Sequence, residues 1–103
     1  MIPEIKERMT DVANLCRRSD VEELHLFGSA TSAANIDEVG DLDFLVRFKD
    51  APPARYASNY FGLAEALAVM FDRRVDLVEH DAIRNPYFRI SVDEQKEPLY
   101  GVS

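Results

Sequence analysis

Residues Leu24 to Phe48, LHLFGSATSAANIDEVGDLDFLVRF, decide how this chain is read. An apolar run ends in Gly28-Ser29, an eleven-residue connection (ATSAANIDEVG) follows, and a second apolar run opens with two carboxylates, Asp41 and Asp43. Side chains at i and i+2 of a strand point to the same face, so Asp41 and Asp43 project together. They do so beside a Gly-Ser turn suited to a phosphate. Two neighbouring carboxylates repel each other and gain nothing from burial. A strand that opens this way needs a cation.

Upstream, Val21 to Phe27 reads as a strand with Leu24 and Leu26 on one face and Phe27 on the other. Before it, Ile5, Met9, Val12 and Cys16 fall near helical spacing, and Pro3 suits a first turn, which predicts a helix over Pro3 to Arg18. Gly28 to Ala34 reads as a tight turn into a short helix whose first amides favour an anion. The ordinary alternative is an N-cap serine after a turn glycine. Asn35 to Gly40 is a polar loop. Asp41 to Phe48 is the second strand: Leu42, Phe44, Val46 and Phe48 form its core face, and Asp41, Asp43, Leu45 and Arg47 the face left for chemistry.

Downstream, Asp50-Ala51-Pro52-Pro53 punctuates the chain, and Tyr56, Tyr60, Leu63, Leu67 and Met70 predict a long amphipathic helix over Arg55 to Phe71. Val75 to Glu79 is a third strand. An acid within so apolar a run is expensive without compensation, which makes Asp76 the natural third carboxylate. Asn85-Pro86 starts a last helix through about Glu97. Pro98 stops it, leaving Leu99-Tyr100-Gly101 as a tail. The expected architecture is α/β of the α+β kind, a small three-stranded mixed sheet flanked by helices, in the order helix-strand-short helix-strand-helix-strand-helix.

The 103 residues form a single domain with one modest core. A net charge of −7 argues against a surface that grips nucleic acid through many phosphates and favours metal ions or a basic partner. The single Cys16 excludes an internal disulfide and reads as a core residue of a reducing compartment. With no secretory signal and no apolar run of membrane-spanning length, the expectation is a cytoplasmic protein that does not engage a membrane. His25 reads as a structural histidine, His80 as surface, and Tyr100, expected to be exposed beside Gly101, as a candidate nucleotide acceptor.

Taken in order, LFGSA, GDLDFLV, RRVDLVE and IRNPYFRISVDEQKEPLY resemble the nucleotidyltransferase fold of the DNA polymerase beta superfamily. Within it the chain most resembles the minimal nucleotidyltransferases (MNT), and the resemblance covers nearly the whole chain. It implies an enzyme in which Asp41, Asp43 and Asp76 are catalytic and hold Mg²⁺, as a two-metal site, while Gly28 and Ser29 bind the phosphates of ATP. MNT proteins are known as antitoxins paired with helical HEPN toxins. The implied activity is therefore transfer of AMP from ATP to a tyrosine of such a toxin, in a hetero-oligomer or with self-association. The alternative is an antitoxin that neutralises its HEPN partner by binding alone. Family members commonly carry an arginine soon after the serine; here the connection holds no basic residue, and Arg47 is the substitute considered, its ordinary reading being a surface partner for an acid. Each acid also has an ordinary reading: Asp41 as a strand-end cap, Asp43 as a partner for Arg47, Asp76 as a partner for Arg74.

Overall fold

The computed structural model describes residues 1–101. Its elements run α1 (Pro3–Glu7), α2 (Met9–Arg18), β1 (Val21–Phe27), β2 (Asp41–Phe48), α3 (Pro53–Phe71), β3 (Arg74–Glu79), α4 (Pro86–Gln95) and β4 (Glu97–Tyr100). The first helix is stepped at Arg8 (φ −103°, ψ 13°), whose carbonyl still accepts from the Val12 amide at 2.9 Å. The strands form one mixed sheet in the order β3-β2-β1-β4. β1 is antiparallel to β2 and β4, and β2 is parallel to β3. A parallel pair needs a crossover, and α3 supplies it.

The sheet therefore has four strands where three were expected. The last helix ends at Gln95, and Glu97 to Tyr100 pairs with β1, setting Pro98 opposite His25 and Tyr100 opposite Leu24. Pro98 cannot extend a helix, but on an edge strand its missing N–H is tolerated. Leu99 is buried and Tyr100 half-buried against the core, so Tyr100 is less exposed than the sequence suggested.

One sheet face carries the main core. Leu24, Leu26, Leu42, Phe44 and Val46 are all but fully buried there against Val12, Cys16, Leu63 and Leu67. Burial pushes the Cys16 thiol up to about 12, as expected of a core residue rather than a reactive one. The other face is covered only in part, by a small cluster of Phe27, Leu45, Ile83 and Val92. Asp20, in the left-handed region (φ 55°), ties the end of α2 to α3: its carboxylate accepts from Arg55 and Asn59, and its carbonyl from the Lys49 amide. No helix among the described residues is long and apolar enough to cross a membrane.

Phe44 lies at the centre of the main core, fully buried and stacked on Phe71 with ring centroids 6.4 Å apart. Phe44→Ala is expected to lower the unfolding free energy by about 3–5 kcal/mol in urea titrations. A loss under about 1 kcal/mol would place the centre of packing elsewhere.

Candidate active site

The site begins where β1 ends. Phe27 pairs with Asp43, and the chain turns at Gly28 with φ 73°. That left-handed backbone favours glycine, and a second constraint acts at the same atom. A Cβ on Gly28 would collide with the Asp43 carboxylate and lie 3.3 Å from its Cγ. Gly28 thus lets the Asp43 side chain rest against the turn.

The following segment is a single 3₁₀ turn, Gly28–Thr31, and not the short helix expected. The Thr31 hydroxyl donates to the Gly28 carbonyl at 2.8 Å, and Ala30 is buried as its anchor. Ser29 is exposed at the rim. The rest of the connection is tied to itself: the Asn35 side chain accepts from the Asp37 amide, Glu38 accepts from the Ala34 amide, and Asp37 pairs with Arg73 at 3.1 Å.

The parallel register of β2 with β3 sets Asp43 opposite Asp76 and Asp41 opposite Arg74. Asp41, Asp43 and Asp76 therefore share one face at the end of the sheet where Gly28 and Ser29 also lie. Asp43 is half-buried, while Asp41 and Asp76 are exposed. Burial first, then the charges of Asp76 and Asp41, raise the Asp43 carboxyl above its ordinary range. Asp76 stands on an edge strand in contact with water, so the burial cost expected for it does not arise. Among the described residues none of the three makes an ion pair. The ordinary readings as partners of Arg47 or Arg74 are thus absent from the structure.

The three carboxylates do not close into a ready-made cage, since no three His, Cys, Asp or Glu side chains among the described residues converge as a metal site. The donor set still fits Mg²⁺, which takes oxygen ligands and is typically held by one or two carboxylates plus substrate phosphates.

Arg47 is not part of this group. It lies two side-chain positions further along β2, paired with Glu23 at 2.8 Å and Asp81 at 3.4 Å, with its Nη2 3.1 Å from His80 Nδ1. That end of the face holds a cavity of about 230 Å³ lined by Glu23, His25, Leu45, Val46, Arg47, His80, Asp93 and Lys96. His25 is buried there, and burial holds its imidazole toward the neutral form, which fits the structural role expected. His80 is more enclosed than its reading as surface implied, bridging Arg47 and Asp93.

Two features escaped the sequence. Tyr60 donates its hydroxyl to the Leu77 carbonyl at 2.5 Å and so fastens β3 to α3 one residue beyond Asp76. Phe88 of α4 packs edge-on against Phe27, with centroids 6.3 Å apart, beside the Gly28 turn. Neither contact follows from local periodicity, because each joins elements separated along the chain.

The family described as a nucleotidyltransferase domain matches residues 12–98. Two proteins of Methanocaldococcus jannaschii, named "Putative protein adenylyltransferase MJ1379" and "Putative protein adenylyltransferase MJ0128", are each 30% identical over 94 residues, covering 90% of this chain and 92% of theirs. A solved structure described as a "putative minimal nucleotidyltransferase" superposes with a TM-score of 0.75 at 29% identity, covering 96% of this chain and 97% of that one. A chain from a Shewanella oneidensis complex, a tri-AMPylated HEPN toxin with an MNT antitoxin, superposes with a TM-score of 0.64 at 23% identity, covering 95% and 73%, a likeness of fold. The fold is that of a nucleotidyltransferase. The chain belongs to the nucleotidyltransferase-domain family.

The raised Asp43 fixes the sign of a pH effect. The folded chain binds this proton more tightly than the unfolded chain, whose Asp titrates near about 3.9. Ionised Asp43 therefore opposes folding at higher pH, and the opposition fades as pH falls through its folded value toward about 3.9. Asp43→Asn is expected to melt above wild type at pH 7, with the gap closing near pH 3; a lower melting temperature at pH 7 would refute this. Gly28→Ala is expected to lose about 1 kcal/mol or more of stability, because it meets both the left-handed backbone and the Asp43 carboxylate. An unchanged urea midpoint would show that the turn relaxes freely.

Proposed function

We propose that this chain is a cytoplasmic antitoxin enzyme that transfers AMP from ATP to a tyrosine of a HEPN-type toxin. One observation carries the reading: three aspartates share a face, in register and without counter-ions among the described residues, next to the Gly28-Ser29 turn. The adenylyltransferase names of its Methanocaldococcus relatives support the transferred group, and the toxin-antitoxin context of its structural neighbours suggests the acceptor.

Asp41 and Asp43 would hold Mg²⁺, with Asp76 sharing a second ion. When bound, the metal supplies Lewis-acid neutralisation of phosphate oxygens. The backbone at Gly28 and the exposed Ser29 hydroxyl seat the β and γ phosphates. Asp76, open to solvent, accepts the proton of the incoming tyrosine hydroxyl. The phenolic oxygen bonds to the α-phosphorus, the α–β phosphoanhydride breaks, and pyrophosphate leaves. So exposed a site does not exclude water by itself, and a protein acceptor closes it.

A second reading, neutralisation of the toxin by binding alone, is favoured by the connection after Ser29, which holds acids and no basic residue. One experiment separates the two. The chain is incubated with its co-purified toxin, ATP and Mg²⁺, and the toxin's intact mass is followed for wild type and Asp43→Asn. Increments of AMP are expected with wild type, at a rate at least about a hundredfold above the variant, since groups that only orient metal ligands are worth about 10- to 100-fold. A toxin bound equally by both proteins and unchanged in mass would sink the catalytic reading.

A further inference from the structure

The connection that follows Ser29 has no positive charge to offer a triphosphate, and Arg47 is held at the far end of β2. A nucleoside triphosphate brought to three carboxylates still needs a cation beyond any metal. The arginines that pair with acids do so elsewhere: Arg8 with Asp11, Arg47 with Glu23, Arg55 with Asp20 and Arg73 with Asp37. Arg74 does not. It is exposed, opens β3, and stands opposite Asp41 and two residues before Asp76, which puts it on the carboxylate face.

We propose that Arg74 grips the phosphate tail of the nucleotide, supplying from β3 the positive charge that the turn after Ser29 lacks. The inference rests on the nucleotidyl-transfer reading above. Three observations shape it. Arg74 is the register partner of Asp41 yet makes no ion pair with it among the described residues, so it is not merely that acid's counter-ion. It begins an edge strand, which leaves its guanidinium free to meet a ligand arriving from solvent. Its neighbour Arg73 is already held by Asp37 in the connection itself, so Arg74 remains for the ligand. A guanidinium suits this task because its planar fork donates to two phosphate oxygens at once.

The test measures binding of ATP and of inorganic tripolyphosphate, each with Mg²⁺, to the full chain by calorimetry, comparing wild type, Arg74→Gln and Arg74→Lys. Arg74→Gln is expected to weaken both ligands by the same factor, on the order of tenfold to a hundredfold, as for one charged hydrogen-bonded contact. Arg74→Lys should restore part of that loss, and the salt dependence of binding should be shallower in Arg74→Gln. Thermal melting should stay near wild type, because the side chain is exposed and makes no ion pair among the described residues. Unchanged ATP affinity in Arg74→Gln overturns the assignment, as does a loss for ATP without one for tripolyphosphate. Wild type that binds neither ligand would sink the nucleotidyl-transfer reading itself, a result distinct from an Arg74 variant that binds as well as wild type.

Discussion

The contact between the Gly28 turn and the Asp43 carboxylate is the constraint around which this small protein is arranged. It requires β1 and β2 to run antiparallel with Phe27 opposite Asp43, and it requires a residue without a Cβ where the chain leaves β1. The rest brings further groups to that point. The crossover through α3 returns the chain parallel to β2, so Asp76 arrives in register with Asp43 rather than one residue off, where it would face the main core. The Tyr60 hydroxyl fixes that strand, and Phe88 closes against Phe27 from the other side.

The carboxylate-bearing face of the sheet is divided along its length. At one end, Asp41 and Asp76 stand in water and Asp43 is half-buried beside them, where burial first and the two like charges second oppose folding. At the other, Arg47, Glu23, Asp81, Asp93 and Lys96 form ion pairs linked through the His80 ring, joining β1 and β2 to the turn after β3 and to α4. Single exposed ion pairs of this kind contribute little each. Their place here is to hold α4 over a face with few apolar residues to bind it, leaving the carboxylate end uncovered.

Much of this was legible in the sequence, and the failures share a cause. The alternation of Leu42, Phe44 and Val46 announced the core face of β2, and the i, i+2 rule placed Asp41 with Asp43. The spacing of Leu63 and Leu67 announced α3. Asn85 caps α4 through two amides, as its position before Pro86 implied. β4 was missed because four residues containing a proline carry too little pattern to separate a strand from a tail. Arg47 shares the face of the carboxylates, which left it open as a phosphate ligand or a partner for an acid; strand rise carries it to Glu23 and Asp81, and the second reading holds. Arg74 beside Asp41 was out of reach for a different reason: the pairing register of β2 with β3 is set across the nineteen-residue helix between them, and no local rule reports it.

Cys16 has a consequence of another kind. It is the chain's single thiol, fully buried in the main core and pushed up to about 12 by that burial, so it cannot react while the core is shut. Its alkylation must therefore wait for the packing of α2 on the sheet to open. The protein carries its own clock for that event, read by mass without adding a label or altering a residue, and a ligand that tightens the sheet would slow it.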